Sequence, residues 1–214
     1  MAIEINTLEV CGFPGAIYGM RNPFKGREYS DSKWDVMNFD DCVDYFEIGE
    51  SDMELAQKLV RPNADDEAKF LRMIHVQADI YAPLYWWKEF DTYKISTVAN
   101  SESTMHTIHK KDFTLENFSH EYFDIEVLNV IINVLNGYRN QFIETGDKKY
   151  WYQMIQLLPS SYMQLRTVDL NYQTIRHMYA ARRHHKLEEW SGKNGFCAWI
   201  ETLPYAKELI LEGL

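Results

Sequence analysis

Positively charged side chains gather in the last third of this sequence, at a spacing that suits anion binding. Arg176, Arg182, Arg183, His184 and His185 fall within one ten-residue segment. In a helix, Arg176 and Arg183 share a face because they are seven residues apart, and His185 lies beside Arg182 at three residues' distance. Because arginine binds phosphate through paired hydrogen bonds, this cluster is suited to holding a phosphate group.

The residues before that cluster carry the signals of a strand followed by a helix. Pro159 opens a turn, residues 165–170 can run extended, and Asp169 or Asn171 can cap the helix that follows. The first amide groups of a helix are unpaired donors that favour an anion. The structural alternative is that Arg182 forms a salt bridge with a carboxylate a few residues later in this acidic chain.

Capping and turn signals outline the rest of the fold. Ser51 begins a capping-box pattern, and the predicted helix runs to Arg61 and stops before Pro62. Pro83 falls in the first turn of another predicted helix, over 83–94. Further predicted elements are strands over 3–10 and 73–82, a short helix after Gly12–Gly15 that ends before Pro23, and a helix over 196–214 interrupted by Pro204. Interleaved helices and strands predict a single α+β domain over residues 1–214.

One predicted helix is long and unusually apolar. Asp124 can cap it, it runs from Ile125 to about Glu144, and Gly146 can end it. Such a helix is normally central, covered by the rest of the fold or by a neighbouring subunit, so we expect a central sheet with a long buried helix. Its asparagines form one stripe, which is either an ordinary polar surface or a hydrogen-bonding surface in a pocket or interface: Asn129, Asn133, Asn136 and Asn140.

The acidic composition excludes some classes of function. The 214 residues carry a formal net charge of -10, which argues against a general nucleic-acid binder but not against a local mononucleotide pocket. Cys11, Cys42 and Cys197 are widely separated, so neither a disulfide framework nor a cysteine zinc site is indicated, and a reduced, cytoplasmic setting fits best. No apolar run approaches the roughly 20 residues needed to span a bilayer, so we expect no membrane partner.

Other chemical motifs are weakly represented. His106 and His109 have near-helical spacing but no recognisable third ligand, and the adjacent His184 and His185 point in different directions on a helix, so no metal site is predicted. Ser103 lies close to His106 in sequence, yet no GxSxG elbow surrounds it. Neither a GxGxxG nor a P-loop motif is present.

Aromatic side chains concentrate in one short segment. Such a cluster most often forms a core or a subunit interface, and a ring-stacking site is the alternative. The residues are Tyr81, Tyr85, Trp86, Trp87, Phe90 and Tyr93.

The segment that contains Arg182 also resembles the flavin-dependent thymidylate synthases. That family has a leucine-proline pair, then an asparagine that opens a helix, then a nucleotide-binding arginine eleven residues later. Pro159, Asn171 and Arg182 reproduce this order and spacing. Arg176 and His177 look like the pair in the middle of the family's helix. Other segments similar in register are residues 19–24, residues 75–86, and His185 with Glu188.

The chain departs from the family at its flavin- and nucleotide-binding motif. The family has an Arg-His-Arg run followed by spaced serines, an Asn-Glu pair and an Arg-Tyr pair, whereas residues 88–106 here are about four residues longer. Asn100 and Ser103 keep their mutual spacing, and Lys88 can replace the first arginine. The residues that replace family side chains are Glu89, Phe90, Met105, His106 and, before the leucine-proline pair, Ile155.

The resemblance implies a pyrimidine-nucleotide site and, in the family, FAD as cofactor. It gives Arg182 both a substrate-binding and a catalytic role, because an arginine can stabilise charge that develops on the pyrimidine. The further substrate-binding residues it implies are Ser103, Asn100 and Tyr85. The cofactor-binding residues are Lys88, Asn171, His177 and Lys69. Folate and a nicotinamide cofactor are further partners, and the family's active sites lie at the subunit junctions of a homotetramer.

Three hypotheses follow from the matches and the departures. In the first hypothesis, the chain is an FAD-dependent enzyme that transfers a methyl or hydroxymethyl unit to a deoxyuridylate-like nucleotide. Alternatively, it binds or sequesters a nucleotide without catalysis, because the nucleotide arginine is kept while the flavin motif is altered. The third possibility is an oligomeric scaffold that keeps only the fold.

Overall fold

The computed structural model describes residues 3–35, 45–61 and 66–214, and its helices and strands confirm the predicted α+β class. The strands are β1 (Glu4–Cys11), β2 (Lys33–Asp35), β3 (Tyr45–Glu47), β4 (His75–Pro83), β5 (Thr97–Ser101) and β6 (Met163–Asn171). The helices are α1 (Phe13–Arg21), α2 (Glu50–Val60), α3 (Leu84–Phe90), α4 (Thr104–Thr107), α5 (Ile125–Thr145), α6 (Lys148–Leu157), α7 (Tyr172–Arg182), α8 (Glu188–Ser191) and α9 (Phe196–Ile200). One sheet has the strand order β1-β4-β6-β5, and β2 pairs with β3 in an antiparallel ribbon.

The described residues form two compact units. The first unit contains residues 3–5, 79–92 and 99–167, and the second unit contains the other described residues. None of the described helices is both long enough and apolar enough to cross a membrane. Cys42 and Pro62, which entered the sequence analysis, lie outside the described residues.

The core of the first unit is built on α5 and α6. Asp124 caps α5 by accepting hydrogen bonds from the amides of Glu126 and Val127, and Gly146 ends it in the left-handed conformation with φ of 67°. These are the cap and the end that the sequence predicts. The buried side chains of this core are Ile108, Phe113, Phe118, Leu128, Ile132, Leu135 and Met154.

The described residues bury one face of α5. Leu128, Ile132 and Leu135 follow the helical repeat into the core, whereas Val127 and Val130 leave 50% and 62% of their surface exposed. The part of the chain that the structure describes therefore does not surround this helix. Cover by a neighbouring subunit, which the sequence also allows, stays a prediction.

In the second unit, a buried ion pair fixes the start of α2. Arg21 donates from Nε to Asp52, which is fully buried and also accepts hydrogen bonds from the hydroxyls of Ser30 and Ser32, each at 2.5 Å. Burial alone would raise the pKa of Asp52, but the hydrogen bonds from the serines, together with the hydrogen bond and charge of Arg21, lower it below the ordinary value of 3.8.

Three helix boundaries predicted from the sequence are wrong. Helix α2 starts at Glu50 rather than after Ser51, because the carboxylate of Asp31 accepts the amide hydrogens of Ser51 and Asp52 at 2.9 and 3.0 Å and so caps the helix from a distant segment. The helix predicted over 83–94 ends at Phe90. The last predicted helix is also interrupted earlier, since α9 stops at Ile200 and a π-helical turn follows over Ala206–Ile210.

Candidate functional site

The guanidinium of Arg182 is held at the carboxyl end of α7. Its Nε donates to the Tyr93 hydroxyl at 2.8 Å, and its central carbon lies 5.5 Å from the centroid of the Tyr93 ring and 4.9 Å from that of Trp190. Asn171 caps the helix by accepting the amide hydrogen of Thr174 at 2.9 Å, so the predicted cap is correct. The side chain of Arg182 is half-buried, and it is positioned by contacts with two aromatic rings.

Arg176, expected to assist Arg182 in binding an anion, has a structural role instead. It is 8% exposed, and its two terminal nitrogens donate to the carbonyl oxygens of Ile210 at 2.6 Å and Val60 at 2.8 Å. These bonds tie α7 to the end of α2 and to the π-helical turn. The prediction failed because a spacing in sequence does not reveal which carbonyl groups the fold brings to a side chain.

Two titratable side chains in this part of the structure, Cys197 and Tyr179, are kept in their uncharged forms. Burial, together with the charge of Glu201, raises the pKa of the Cys197 thiol to about 11, although the positive charge of Arg182 opposes this rise. Burial first, and then a hydrogen bond to Glu201, raise the pKa of Tyr179 to about 12. Near neutral pH, the thiol and the phenol therefore remain protonated, and the charges in this neighbourhood are those of arginine and glutamate.

Solved structures of other proteins match nearly the whole chain. The flavin-dependent thymidylate synthase ThyX from Helicobacter pylori, complexed with FAD and dUMP, is 17% identical over 99% of each chain, with a TM-score of 0.72. The UMP/dUMP methylase PolB from Streptomyces cacaoi, bound with 5-Br dUMP, is 12% identical over 98% of this chain and 94% of its own, with a TM-score of 0.66.

The chain has the fold of the flavin-dependent thymidylate synthases. This confirms the resemblance inferred from the sequence at the level of the fold. No family model matches the chain, and no curated protein matches it in sequence. The likeness therefore resides in the three-dimensional arrangement of the elements.

The segment in which the sequence departs from the family it resembles begins on α3 of the first unit. Lys88 is exposed in the last turn of the helix, where a positive charge is favoured by the helix dipole. Phe90, which the sequence resemblance aligns with a basic residue of the family, is only 2% exposed and packs 5.2 and 5.1 Å from the rings of Trp86 and Trp87. This part of the aromatic cluster is core, as the sequence indicates, and Phe90 belongs to the apolar interior.

Three further predicted substrate residues also belong to the first unit. Ser103 caps α4, its hydroxyl accepting the amide hydrogen of His106 at 3.3 Å. Asn100 is exposed on β5. The hydroxyl of Tyr85, on α3, lies 3.2 Å from that of Ser119. The cap leaves the backbone of Ser103 in a fixed conformation, and Asn100 keeps its amide accessible.

The other predicted cofactor residues belong to the second unit together with Arg182. Asn171 is 2% exposed and caps α7, and His177 is exposed in the middle of the same helix. Lys69 is exposed on the 3₁₀ segment Ala68–Met73, which packs against α7. In the second unit, the fold thus brings Arg182, His177 and Asn171 onto one helix with Lys69 on a neighbouring segment. Their cofactor-binding roles stay predictions.

His109 and His185 have different surroundings. The ring of His109 lies 5.0 Å from that of Phe142, whereas Nδ1 of His185 accepts the amide hydrogen of Leu187 at 3.2 Å. Across the described ranges, no group of three or more His, Cys, Asp or Glu side chains has the arrangement of a metal site.

Sequence reasoning missed two aromatic residues that contact Arg182. Tyr93 belongs to the aromatic cluster that the sequence analysis interprets as core or interface, and its ring lies 6.4 Å from that of Trp190. Tyr93 and Trp190 are far apart in sequence, so no spacing rule connects them. Their contact with Arg182 therefore could not be predicted from the sequence.

Proposed function

We propose that this chain binds a pyrimidine nucleotide through Arg182 and transfers a one-carbon unit to a deoxyuridylate-like base. The observation that supports the proposal is the guanidinium held by Tyr93 and Trp190 at the end of α7, in a fold shared with proteins solved with dUMP or 5-Br dUMP. The resemblance in sequence proposes Arg182 as the counterpart of the family's nucleotide-binding arginine. Charge-assisted hydrogen bonds from an arginine fork are worth about 1.5–3 kcal/mol each, so a few of them suffice to position a nucleotide.

The chemistry would come from the cofactors, and the protein would supply binding and orientation. FAD, as reduced flavin, would provide hydride, folate the one-carbon unit, and a nicotinamide cofactor the reducing equivalents. Lys88, Asn171, His177 and Lys69 are the proposed flavin-binding residues. Lys88, His177 and Lys69 are exposed, which suits them to bind a charged cofactor, whereas Asn171 already serves as a helix cap.

Each remaining residue has a proposed role of its own. Arg182 would bind the nucleotide and stabilise negative charge that develops on the pyrimidine during transfer. Asn100, Ser103 and Tyr85 would select the base or sugar through neutral hydrogen bonds. We also propose a cytoplasmic homotetramer, as the resemblance and the cysteine pattern imply, and the exposed valines of α5 offer an apolar surface for a neighbouring copy.

A second candidate is nucleotide binding without flavin chemistry. It is favoured by Phe90, because a buried aromatic residue replaces a basic flavin contact and no basic group can take its place without disturbing the core. In this second candidate, Arg182 still binds a nucleotide, while Lys88 and His177 do not bind a cofactor. The third candidate is an oligomeric scaffold, which would bind no nucleotide or flavin and would contact neighbouring copies through the exposed surface of α5.

The visible absorption spectrum of the purified protein separates the first two candidates. The protein is incubated with FAD, separated by gel filtration, and measured for a flavin band that elutes with it. A retained band supports the enzyme and justifies turnover assays with dUMP, folate and a nicotinamide cofactor. A colourless protein that dUMP nevertheless stabilises against heat supports nucleotide binding alone, since a ligand specific for the folded state raises Tm.

The scaffold is tested in the same experiment. A well-formed oligomer that neither FAD nor any of dUMP, UMP and dCMP stabilises would contradict both ligand-binding candidates. The variant Arg182→Ala provides the site-specific control, because its loss of nucleotide-dependent stabilisation assigns the effect to Arg182. An unchanged Tm shift in this variant would remove Arg182 from the site.

A further inference from the structure

The first unit contains a cavity of about 700 Å³ that includes none of the eight predicted site residues. This volume lies in the range of small-molecule sites, about 300–1,000 Å³. Its walls combine aromatic and acidic side chains, with Tyr81 and Tyr162 beside Glu4 and Glu102. Its apolar lining comes from Ile108, Phe113 and Met163.

Both tyrosines belong to the walls of this cavity. Tyr162 is packed edge-on against Phe113 and Phe118 at 6.3 and 5.7 Å, and its carbonyl oxygen accepts the amide hydrogen of Leu84 at 2.9 Å. Tyr81 lies on β4 with its hydroxyl 3.5 Å from the backbone carbonyl oxygen of Glu116. Because the Tyr162 ring is packed against two other rings, ordering it on a ligand costs little entropy.

Burial and the nearby carboxylates raise the pKa values of the two tyrosine hydroxyls. Burial first, and then the charge of Glu102, raise the pKa of Tyr162 to about 12. The pKa of Tyr81 is also raised, mainly by burial, with Glu102 and Glu4 adding to the rise against a hydrogen bond from Asn117. Both phenols therefore stay neutral, and the negative charge at this end of the cavity belongs to the glutamates.

The cavity also carries an aspartate and two lysines. Asp112 forms an ion pair with Arg139 at 2.5 Å, which offsets its charge. Lys110 and Lys111 are exposed, as are Glu4 and Glu102, but the charges that raise the pKa values of the two tyrosine hydroxyls are those of the glutamates. Glu102 is held by its backbone, which accepts a hydrogen bond from the Gln164 amide at 2.8 Å and donates one to the Leu165 carbonyl at 2.9 Å.

We propose that this cavity binds a small organic cation, an ammonium group carried on an apolar body. The faces of Tyr81 and Tyr162 attract a cation through their ring quadrupoles, and Glu102 and Glu4 supply the opposite charge. Ile108 and Met163 contact the apolar part of the ligand. This site is separate in its residues from the proposed nucleotide site, so the two proposals stand or fall independently.

The test compares choline with its uncharged carbon analogue, dimethylbutanol, by calorimetric titration of the full chain. We expect saturable binding of choline and at least tenfold weaker binding of the neutral analogue. The variant Glu102→Gln keeps the backbone hydrogen bonds and removes the charge, so it should weaken choline binding at least fivefold. The matched control Glu144→Gln removes a carboxylate at the exposed end of α5 and should leave the Kd unchanged.

Each contrary result overturns the proposal. These results are the absence of saturable binding at millimolar choline, equal binding of the neutral analogue, or the same Kd in Glu102→Gln and wild type. Tighter binding of inorganic phosphate than of choline, lost when Lys110 and Lys111 are both replaced by Ala, would also overturn it by making the lysines the ligand-binding element. Retention or loss of dUMP binding has no bearing on any of these outcomes.

Discussion

Helix α7 carries two arginines six residues apart, and the fold uses them in opposite ways. Arg176 is buried and donates to two backbone carbonyl oxygens, whereas Arg182 is half-buried and is oriented by the Tyr93 hydroxyl and the rings of Tyr93 and Trp190. Carbonyl acceptors hold a guanidinium as a structural clamp. The hydroxyl of Tyr93 and the two aromatic rings instead orient a guanidinium that stays half-exposed.

The variant Arg176→Ala tests the structural role of this arginine and should have the largest effect. It removes two charge-assisted hydrogen bonds and leaves two buried carbonyl groups unsatisfied, so the free energy of unfolding should fall by about 4 kcal/mol. Urea unfolding followed by circular dichroism measures the change. Arg182→Ala is the matched control and should cost less than about 1 kcal/mol, as for a substitution outside the core. Equal losses in the two variants would contradict the assignment of roles.

The pair formed by Arg21 and Asp52 extends the structural side of the comparison. Replacing Asp52 with Asn leaves Arg21 buried without its counter-charge and should lower the free energy of unfolding by about 3 kcal/mol. Because folding lowers the pKa of Asp52 below 3.8, its contribution is complete above that value and is lost as the pH falls through the folded-state pKa. Urea unfolding at neutral and acidic pH should therefore show a smaller difference in acid; a constant difference would argue against the ionised pair.

The ligand side of the comparison is tested by binding. Arg182→Ala should weaken dUMP binding by about 2 kcal/mol, roughly thirtyfold, as expected for the loss of a charge-assisted hydrogen bond. Arg182→Lys retains the charge without the planar guanidinium, so its Kd for dUMP should lie between those of Arg182→Ala and wild type. Titration calorimetry gives the three Kd values. If the two variants bind as tightly as wild type, Arg182 does not contact the nucleotide.

The smallest expected effect sharpens the role of Tyr93 as a positioning residue. Tyr93→Phe keeps the ring and removes the hydroxyl that accepts from Nε of Arg182, so dUMP binding should weaken by about 1 kcal/mol, roughly fivefold. The NMR signal of the Arg182 Nε–H group should also exchange faster with water, whether or not dUMP is present. Tyr29→Phe, at an exposed tyrosine, should change neither. An unchanged Nε–H signal in Tyr93→Phe would exclude the positioning role.

The two helices α5 and α2 show which parts of the fold the sequence can predict. For α5, Asp124 and Gly146 lie next to the helix and determine its ends through local hydrogen bonds and backbone conformation. For α2, the cap comes from Asp31, about twenty residues earlier in the chain, so the local capping-box pattern at Ser51 was misleading. Signals that act within one turn were predictable, and those that depend on tertiary contacts were not.

The same limit applies to the candidate site. Arg182 and the Asn171 cap were accessible because the order and spacing of a short segment point to them. Tyr93 and Trp190 were not, because their contact with Arg182 depends on how distant segments pack. Arg176 shows the opposite error. Its spacing from Arg183 suggested that it helps to bind an anion, but its guanidinium donates to two backbone carbonyl oxygens.

The burial of Phe90 beside Trp86 and Trp87 limits how this part of α3 can be redesigned. A single substitution that placed a basic residue at this position would put a charge in an apolar interior, at a cost of several kcal/mol, before any contact with a ligand could be gained. The neighbouring aromatic residues would have to change before the charge was introduced. The order in which substitutions are made at this position therefore decides whether the intermediate variants fold.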